Sequence, residues 1–200
     1  MHAILRRFID ETTSCTISDE EFLYIEKGFT EKSIKKKQFL LHEGTVCKYM
    51  AFIVKGAMRQ YSIDGNGNEH IVRFGMEGWW MSDRESFLML TPSKYNIEAL
   101  EDCDLLVATN EQLAMVKEQS LLFLKMSHIL DARHSIASQN RIQASISYTA
   151  EQKVLELMKV YPLFLKRFSQ AMLASYLGLS PETFSRIRKQ IAANNTNRQV

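Results

Sequence analysis

Apolar positions along the chain change their spacing three times, and each change predicts a different kind of structure. Ile4, Leu5, Phe8 and Ile9 recur at helical intervals. Ser18 and Glu21 have capping-box spacing ahead of Phe22, Leu23, Ile25 and Phe29, which predicts a second short helix. From Phe39 the texture becomes one of short apolar or alternating runs: FLLHEG, YMAFIVKG, AMRQYSI, EHIVRFG and LLVAT. These runs are rich in β-branched and aromatic residues and are broken by Gly44, Gly56, Gly65, Gly67, Gly75 and Gly78. That pattern predicts antiparallel strands in a small barrel or sandwich. DGNGN, Asp64 to Asn68, predicts a hairpin loop, because Asn and Gly tolerate positive φ. Trp79 and Trp80 follow a glycine at the rim, where aromatic residues serve more often as core or lid than as ligand stackers.

After Thr109 the strand texture ends. Asn110 to Tyr148 contains neither Gly nor Pro, and Leu113, Val116, Leu121, Leu124, Ile129, Ala132 and Ile136 fall at helical intervals. The spacing predicts a short helix and then one long helix from about Ser120 to Ser147. Apolar residues on more than one side suit a helix that packs on its own domain and on a second copy through Leu121 to Ile146. Arg133, Gln139, Asn140 and Gln143 interrupt the stripe. Thr149 with Gln152 predicts the cap of a fresh helix, Ala150 to Val160, ended by Pro162.

Gln170 to Lys189, QAMLASYLGLSPETFSRIRK, predicts two short helices joined by a tight turn. Leu173 and Leu177 share one face of the first helix, and the small Ala174 leaves room for a second helix. Gly178 suits the left-handed turn. Ser180 can cap the second helix, with Pro181 at its first position. Phe184, Ile187 and Ile191 form an inward stripe, while Glu182, Ser185, Arg186 and Lys189 face outward. This is helix-turn-helix spacing, which sends the outward face of the second helix into a DNA major groove. An ordinary helical hairpin, with Glu182 and Arg186 as an i, i+4 ion pair, is the competing account.

Charge sharpens this picture. The chain as a whole is only +2, yet Thr149 to Val200 holds eight Lys or Arg against three Asp or Glu, and Met1 to Tyr148 holds seventeen against twenty. The basic excess therefore lies in the segment with the helix pair, as a phosphate-facing domain requires. Lys35, Lys36 and Lys37 suit a solvated loop better than a nucleic-acid contact. No apolar run approaches ~18 residues, so no membrane span is expected. MHAILRRFID lacks the long apolar core of a secretory signal. Cys15, Cys47 and Cys103 are scattered and odd in number, which suggests buried thiols in a reducing cytoplasm.

The same residues exclude several chemistries. Three isolated cysteines do not make an iron–sulfur site, which takes about four ligands. His42, His70, His128 and His134 have no spacing that singles out a haem ligand. The H-x-H pair of a cupin metalloenzyme is missing, since His42 and His70 stand alone. No metal, cofactor or catalytic set is expected.

A β-barrel, a long connecting helix and a basic helix-turn-helix, in that order, resemble the Crp/Fnr (catabolite-activator and fumarate–nitrate-regulator) superfamily over nearly the whole chain. The resemblance implies an α+β fold. Residues 1–110 would be a β-roll (double-stranded β-helix) sensor like a cyclic-nucleotide-binding domain, residues 111–148 a connecting and dimerisation helix, and residues 149–200 a winged-helix-like helix-turn-helix domain. Ser180 to Lys189 looks like that family's recognition helix. The resemblance implies that Glu182 and Arg186 read base edges while Thr183 and Ser169 hold phosphates, with Gln170, Ser180, Pro181, Ser185 and Lys189 completing the interface. Arg is bidentate to guanine and Glu accepts from the cytosine amino group. Pro181 replaces an Arg often found there, which removes one base contact. Trp79 to Leu100 resembles the family's phosphate-binding cassette. Ser82 and Asp83 stand at its Gly-Glu pair, beside Arg84. Ser93 stands where an Arg would clamp the phosphate, followed by Lys94, and neither can form that bidentate fork. Ser138 and Gln139 fall where the family contacts the purine. The resemblance thus implies a homodimeric regulator of double-stranded DNA with a small-molecule effector, RNA polymerase as a further partner, and a degraded nucleotide site. A regulator responsive to cyclic AMP or cyclic GMP, and a β-barrel binding scaffold without DNA function, are the alternatives.

Overall fold

The computed structural model describes residues 1–197, with side chains through Asn194, so Arg198 to Val200 of the expected 149–200 domain lie outside the described residues. Two helices open the chain, α1 (His2–Thr13) and α2 (Asp19–Gly28), and Leu5, Ile9, Phe22 and Ile25 turn inward from them. Ser18 Oγ caps α2 by accepting from the Glu21 amide at 3.1 Å. The expected capping box closes only by half. The Glu21 carboxylate turns instead to accept from Ser120 Oγ at 2.5 Å and the Leu122 amide at 3.0 Å. It thereby satisfies free donors at the start of the long helix, where negative charge is favoured.

Eight strands follow among the described residues: β1 (Thr30–Ile34), β2 (Phe39–Leu41), β3 (Met50–Lys55), β4 (Met58–Ile63), β5 (Glu69–Gly75), β6 (Trp80–Met81), β7 (Asn96–Ala99) and β8 (Cys103–Ala108). They form two four-stranded sheets, ordered β1-β8-β3-β6 and β2-β7-β4-β5. Apart from the β4–β5 pair, consecutive strands therefore land in different sheets, as in a roll. The register Thr30↔Val107 to Ile34↔Cys103 fixes β1 on β8, and Met58↔Ala99 to Tyr61↔Asn96 fixes β4 on β7. Phe52, Ile53, Met58, Ile97, Leu105 and Leu106 fill the core. Trp80 packs there against Phe52 and Phe29, with ring centroids 5.1 and 5.9 Å away. Gly56 joins β3 to β4 with φ 97°, and a Cβ there would lie 2.6 Å from Asp102 O and Cys103 Sγ, so no larger residue fits.

Between β6 and β7 lies a short helix, α3 (Arg84–Met89). Helix α4 (Asn110–Gln119) carries the Thr109–Gln112 capping box, and Ser120 separates it from α5 (Leu121–Ser147), a helix of 27 residues. Beyond α5 come α6 (Ala150–Val160), with the expected Thr149–Gln152 box, α7 (Phe164–Arg167), α8 (Gln170–Leu177) and α9 (Pro181–Asn197). No strand follows β8 among the described residues. Val154, Leu157, Phe164, Phe168, Leu173, Ala174, Phe184, Ile187 and Ile191 form the core of this helical segment. Of the three cysteines, Cys47 and Cys103 are buried as expected, and burial pushes the Cys103 thiol up to about 11. Cys15 is exposed, because it lies just past the left-handed Ser14 that ends α1.

The chain divides into two compact units. One takes Met1–Ile63 and Val72–His134, and the other takes Asp64–Ile71 and everything from Ser135. The breaks fall inside β5 and inside α5. No helix among the described residues is long and apolar enough to cross a membrane.

Candidate nucleic-acid interface and effector pocket

Helix α8 begins at Ser169, whose hydroxyl accepts from the Met172 amide at 3.3 Å. It ends at Gly178, with φ 67° and ψ 36°. The Gly178 amide donates to Ser175 O and the Leu179 amide to Ala174 O, which closes the helix end. Ser180 Oγ accepts from the Thr183 amide at 3.2 Å and starts α9. The same hydroxyl donates to Thr183 Oγ1 at 3.1 Å. Turn and cap thus fix the angle at which α9 leaves.

Phe184, Ile187 and Ile191 are buried, so the opposite face of α9 is set by packing. Pro181, Glu182, Arg186 and Lys189 are exposed, and Thr183 and Ser185 are half-buried beside them. Ser169, Gln170 and Ser180 are also exposed. The Glu182 carboxyl is held below its usual range first by its own backbone amide and then by Ser180. It makes no ion pair with Arg186. Neither Arg186 nor Lys189 pairs with any group among the described residues, and both are exposed. Chemically this is a row of one acceptor and two donors at i, i+4 and i+7, with hydroxyls along its edge.

In the roll, the Asp83 carboxyl is buried and accepts from Ser93 Oγ at 2.7 Å. Ser93 is itself held by its backbone, donating to Thr45 O at 2.9 Å and accepting from the Gly44 amide at 2.8 Å. Its hydroxyl also accepts from the Tyr95 amide at 3.0 Å. Ser86 Oγ ties α3 down by donating to Thr91 O at 2.6 Å and accepting from the Cys47 amide at 2.8 Å. The neighbouring Ser82 hydroxyl is buried with no hydrogen-bond partner among the described residues. Arg84 forms an ion pair with Asp131 on α5. Lys94 stands exposed, 3.9 Å from Glu85. His134 is held below its ordinary value, first by burial and then by the charges of Arg73 and Arg84. The cassette therefore brings together Ser82, Asp83 and Ser93 but puts neither Arg84 nor Lys94 on the Asp83–Ser93 bond. Ser138 and Gln139 lie on α5 within the second unit, Ser138 half-buried and Gln139 exposed. Asp131 was not named from the sequence, and His134 was named only among four histidines without a distinguishing spacing. Only the i, i+3 spacing of an acid and a histidine on α5 could have drawn attention to them.

The cluster of Ser82, Asp83 and Ser93 offers a carboxyl and two hydroxyls. Recognition of a phosphate anion uses charge-assisted forks. Of the cationic residues of the cassette, Arg84 is paired with Asp131 and Lys94 lies 3.9 Å from Glu85. No group of three or more His, Cys, Asp or Glu that could hold a metal occurs among the described residues.

The family profile described as the cyclic nucleotide-binding domain matches residues 31–120. No curated protein sequence matches the chain. Among solved structures, FixK2 from Bradyrhizobium japonicum is 19% identical, with 84% of this chain and 86% of that one covered and a TM-score of 0.69. The c-di-GMP-responsive global regulator CLP of Xanthomonas campestris is 11% identical, with 89% and 93% covered and a TM-score of 0.70. The CRP/FNR-family transcriptional regulator TTHA1359 of Thermus thermophilus is 18% identical, with 82% and 87% covered and a TM-score of 0.60. Residues 31–120 match the family model of the cyclic nucleotide-binding domain, and the chain shares the fold of solved transcription regulators of the Crp/Fnr type.

Proposed function

We propose that the chain is a cytoplasmic, homodimeric, sequence-specific DNA-binding regulator and not an enzyme. Residues 1–110 sense, 111–148 dimerise and transmit, and 149–200 bind DNA. The observation that supports this best is the exposed row of Glu182, Arg186 and Lys189, its two cations unpaired among the described residues, opposite a fully buried stripe in the segment that holds the chain's basic excess. Glu182 and Arg186 read base edges, and Thr183 and Ser169 hold phosphates, with Gln170, Ser180, Pro181 and Ser185 lining the contact. The long helix sets the distance between two recognition helices, which must match half-sites about 34 Å apart. RNA polymerase is the downstream partner of such a regulator. Selection of bound fragments from a random DNA pool should return a two-fold symmetric site. No enrichment at all, or a consensus without an inverted repeat, would count against this reading.

A cyclic-nucleotide-responsive regulator is the second reading, favoured by the family match over 31–120. The Asp83–Ser93 bond argues against it. CLP, with the same fold, is described as responsive to c-di-GMP, so the fold does not fix the ligand. The cluster of Ser82, Asp83 and Ser93 suits an effector that offers hydrogen-bond donors rather than a phosphate. Cyclic AMP and cyclic GMP should bind weakly or not at all. Calorimetry giving a micromolar or tighter dissociation constant for either would reinstate the nucleotide reading.

A further inference from the structure

Strand β5 ends its sheet, so its outer N–H and C=O groups have no neighbouring strand. One hydroxyl closes two of them. Ser175 Oγ on α8 donates to Glu69 O at 2.8 Å and accepts from the Ile71 amide at 3.0 Å. These are the two bonds that a paired strand would make, supplied from the last turn of the first helix of the helix-turn-helix. The next residue, Tyr176, lies under the Arg141 guanidinium of α5, 4.5 Å from its ring centroid. All of these residues belong to the second unit.

The hairpin tip that reaches Ser175 is closed by its own hydrogen bonds. The Asp64 carboxylate accepts from the Asn66 and Asn68 amides and pairs with His70 Nε2, each at 2.9 Å. His70 first, and then Asn68, hold Asp64 well below the usual carboxylate range. The Asp64 amide donates to Asn68 O at 3.0 Å and closes the loop. Beyond Ile71 the same strand continues without a break into Val72–Gly75, which belong to the first unit.

We infer that Ser175 is a latch that couples strand β5 to the helix pair α8–α9, so that β5 and the recognition helix report each other's state. The inference rests on the reading of α8–α9 as the DNA-binding element, and thermodynamic linkage requires the coupling to run both ways. It gives Ser175 a role apart from the reading face, because its hydroxyl is spent on the strand and not on DNA.

Amide hydrogen exchange on the full chain tests it, using Ser175→Ala and Ser175→Thr. In the free protein, Ser175→Ala should speed exchange of the Ile71 amide about five- to tenfold, the opening expected when one ordinary hydrogen bond is lost. The acceleration should extend into Val72–Phe74 and α8, with an unchanged circular dichroism spectrum. Ser175→Thr keeps the hydroxyl and should keep the protection. Wild-type exchange at Ile71 and along β5 in Ser175→Ala would overturn the latch. A second arm adds a DNA fragment selected from a random pool. Binding should alter exchange at Val72–Phe74 in the wild type, and that response should vanish in Ser175→Ala although the DNA still binds. A β5 that ignores DNA in the wild type, or responds equally in the variant, would overturn the coupling. If no DNA is selected, the DNA-binding reading fails, and the free-protein arm alone still decides the latch.

Discussion

Arg186→Ala should cost sequence discrimination far more than general DNA affinity. The residue lies one turn after Glu182 on the exposed face of α9, across from Phe184 and Ile187, and its guanidinium has no partner among the described residues. No ion pair has to be broken for it to engage a guanine edge. Bidentate contact there contributes roughly 1–3 kcal/mol of discrimination. Lys189 lies farther along the same face, where phosphate is the nearer target. Removing it should lower affinity for every sequence and reduce the salt dependence by about one ion. Neither change should alter folding, because both side chains face away from the core. The measurement is binding to a selected site and to a scrambled one across a salt series. Equal losses on both DNAs for Arg186→Ala would make Arg186 a phosphate contact and move the reading face elsewhere.

What could be read from the sequence, and what could not, follows from how local each signal is. The helix-turn-helix was legible because its determinants lie within twenty residues: Gly178 in the left-handed region, Ser180 on the Thr183 amide, and Phe184, Ile187 and Ile191 buried on one stripe. The glycine-broken strands β2 to β5 and β8 were legible for the same reason. Strand β1, TEKSI, was not, because it is exposed at four of its five positions to some degree and takes its place only by pairing with β8. Strands β6 and β7 and helices α3 and α7 are two to six residues long, too short to show a period. The Ser18–Glu21 motif has capping-box spacing, yet Glu21 is drawn off to α5, a partner about a hundred positions away. Long-range competition of this kind cannot be seen in a local window. The cassette shows the same limit. Ser93 in place of an arginine was visible in the sequence, whereas its bond to Asp83 and the pairing of Arg84 with Asp131 needed the fold. Ser175 carried no signal at all, since a serine within AMLASYL looks like filler on a small helix.

Replacing Ile136 and Ile146 together with Glu should convert the protein to a monomer and remove most of its affinity for a symmetric site. Met126 is the last fully buried side chain on α5, so its C-terminal half finds little cover within one chain. Ile136 is 58% exposed and Ile146 81%, and Ile142 between them is 61% exposed. Ile136, Gln139, Gln143 and Ile146 recur at intervals of three and four, the spacing of a coiled-coil seam. Fully burying an isoleucine contributes about 1.5–3 kcal/mol, so several per helix in two facing helices suffice to hold two copies together. The two glutamines in the seam weaken it but restrict its register, because an offset pairing would bury their amides against isoleucine. Glutamates at 136 and 146 would bring like charges together across the two-fold axis. The single-chain fold should survive, since both positions are open to solvent in it, and the β-roll's melting transition should stay where it is. Sedimentation should show a monomer at micromolar concentration. DNA affinity should fall by about a hundredfold or more, the loss expected when one of two linked half-sites can no longer be engaged. A variant that still sediments as a dimer would place the interface elsewhere. A monomer that binds the selected site as tightly as the wild type would mean that one helix-turn-helix suffices and that the long helix does not set half-site spacing.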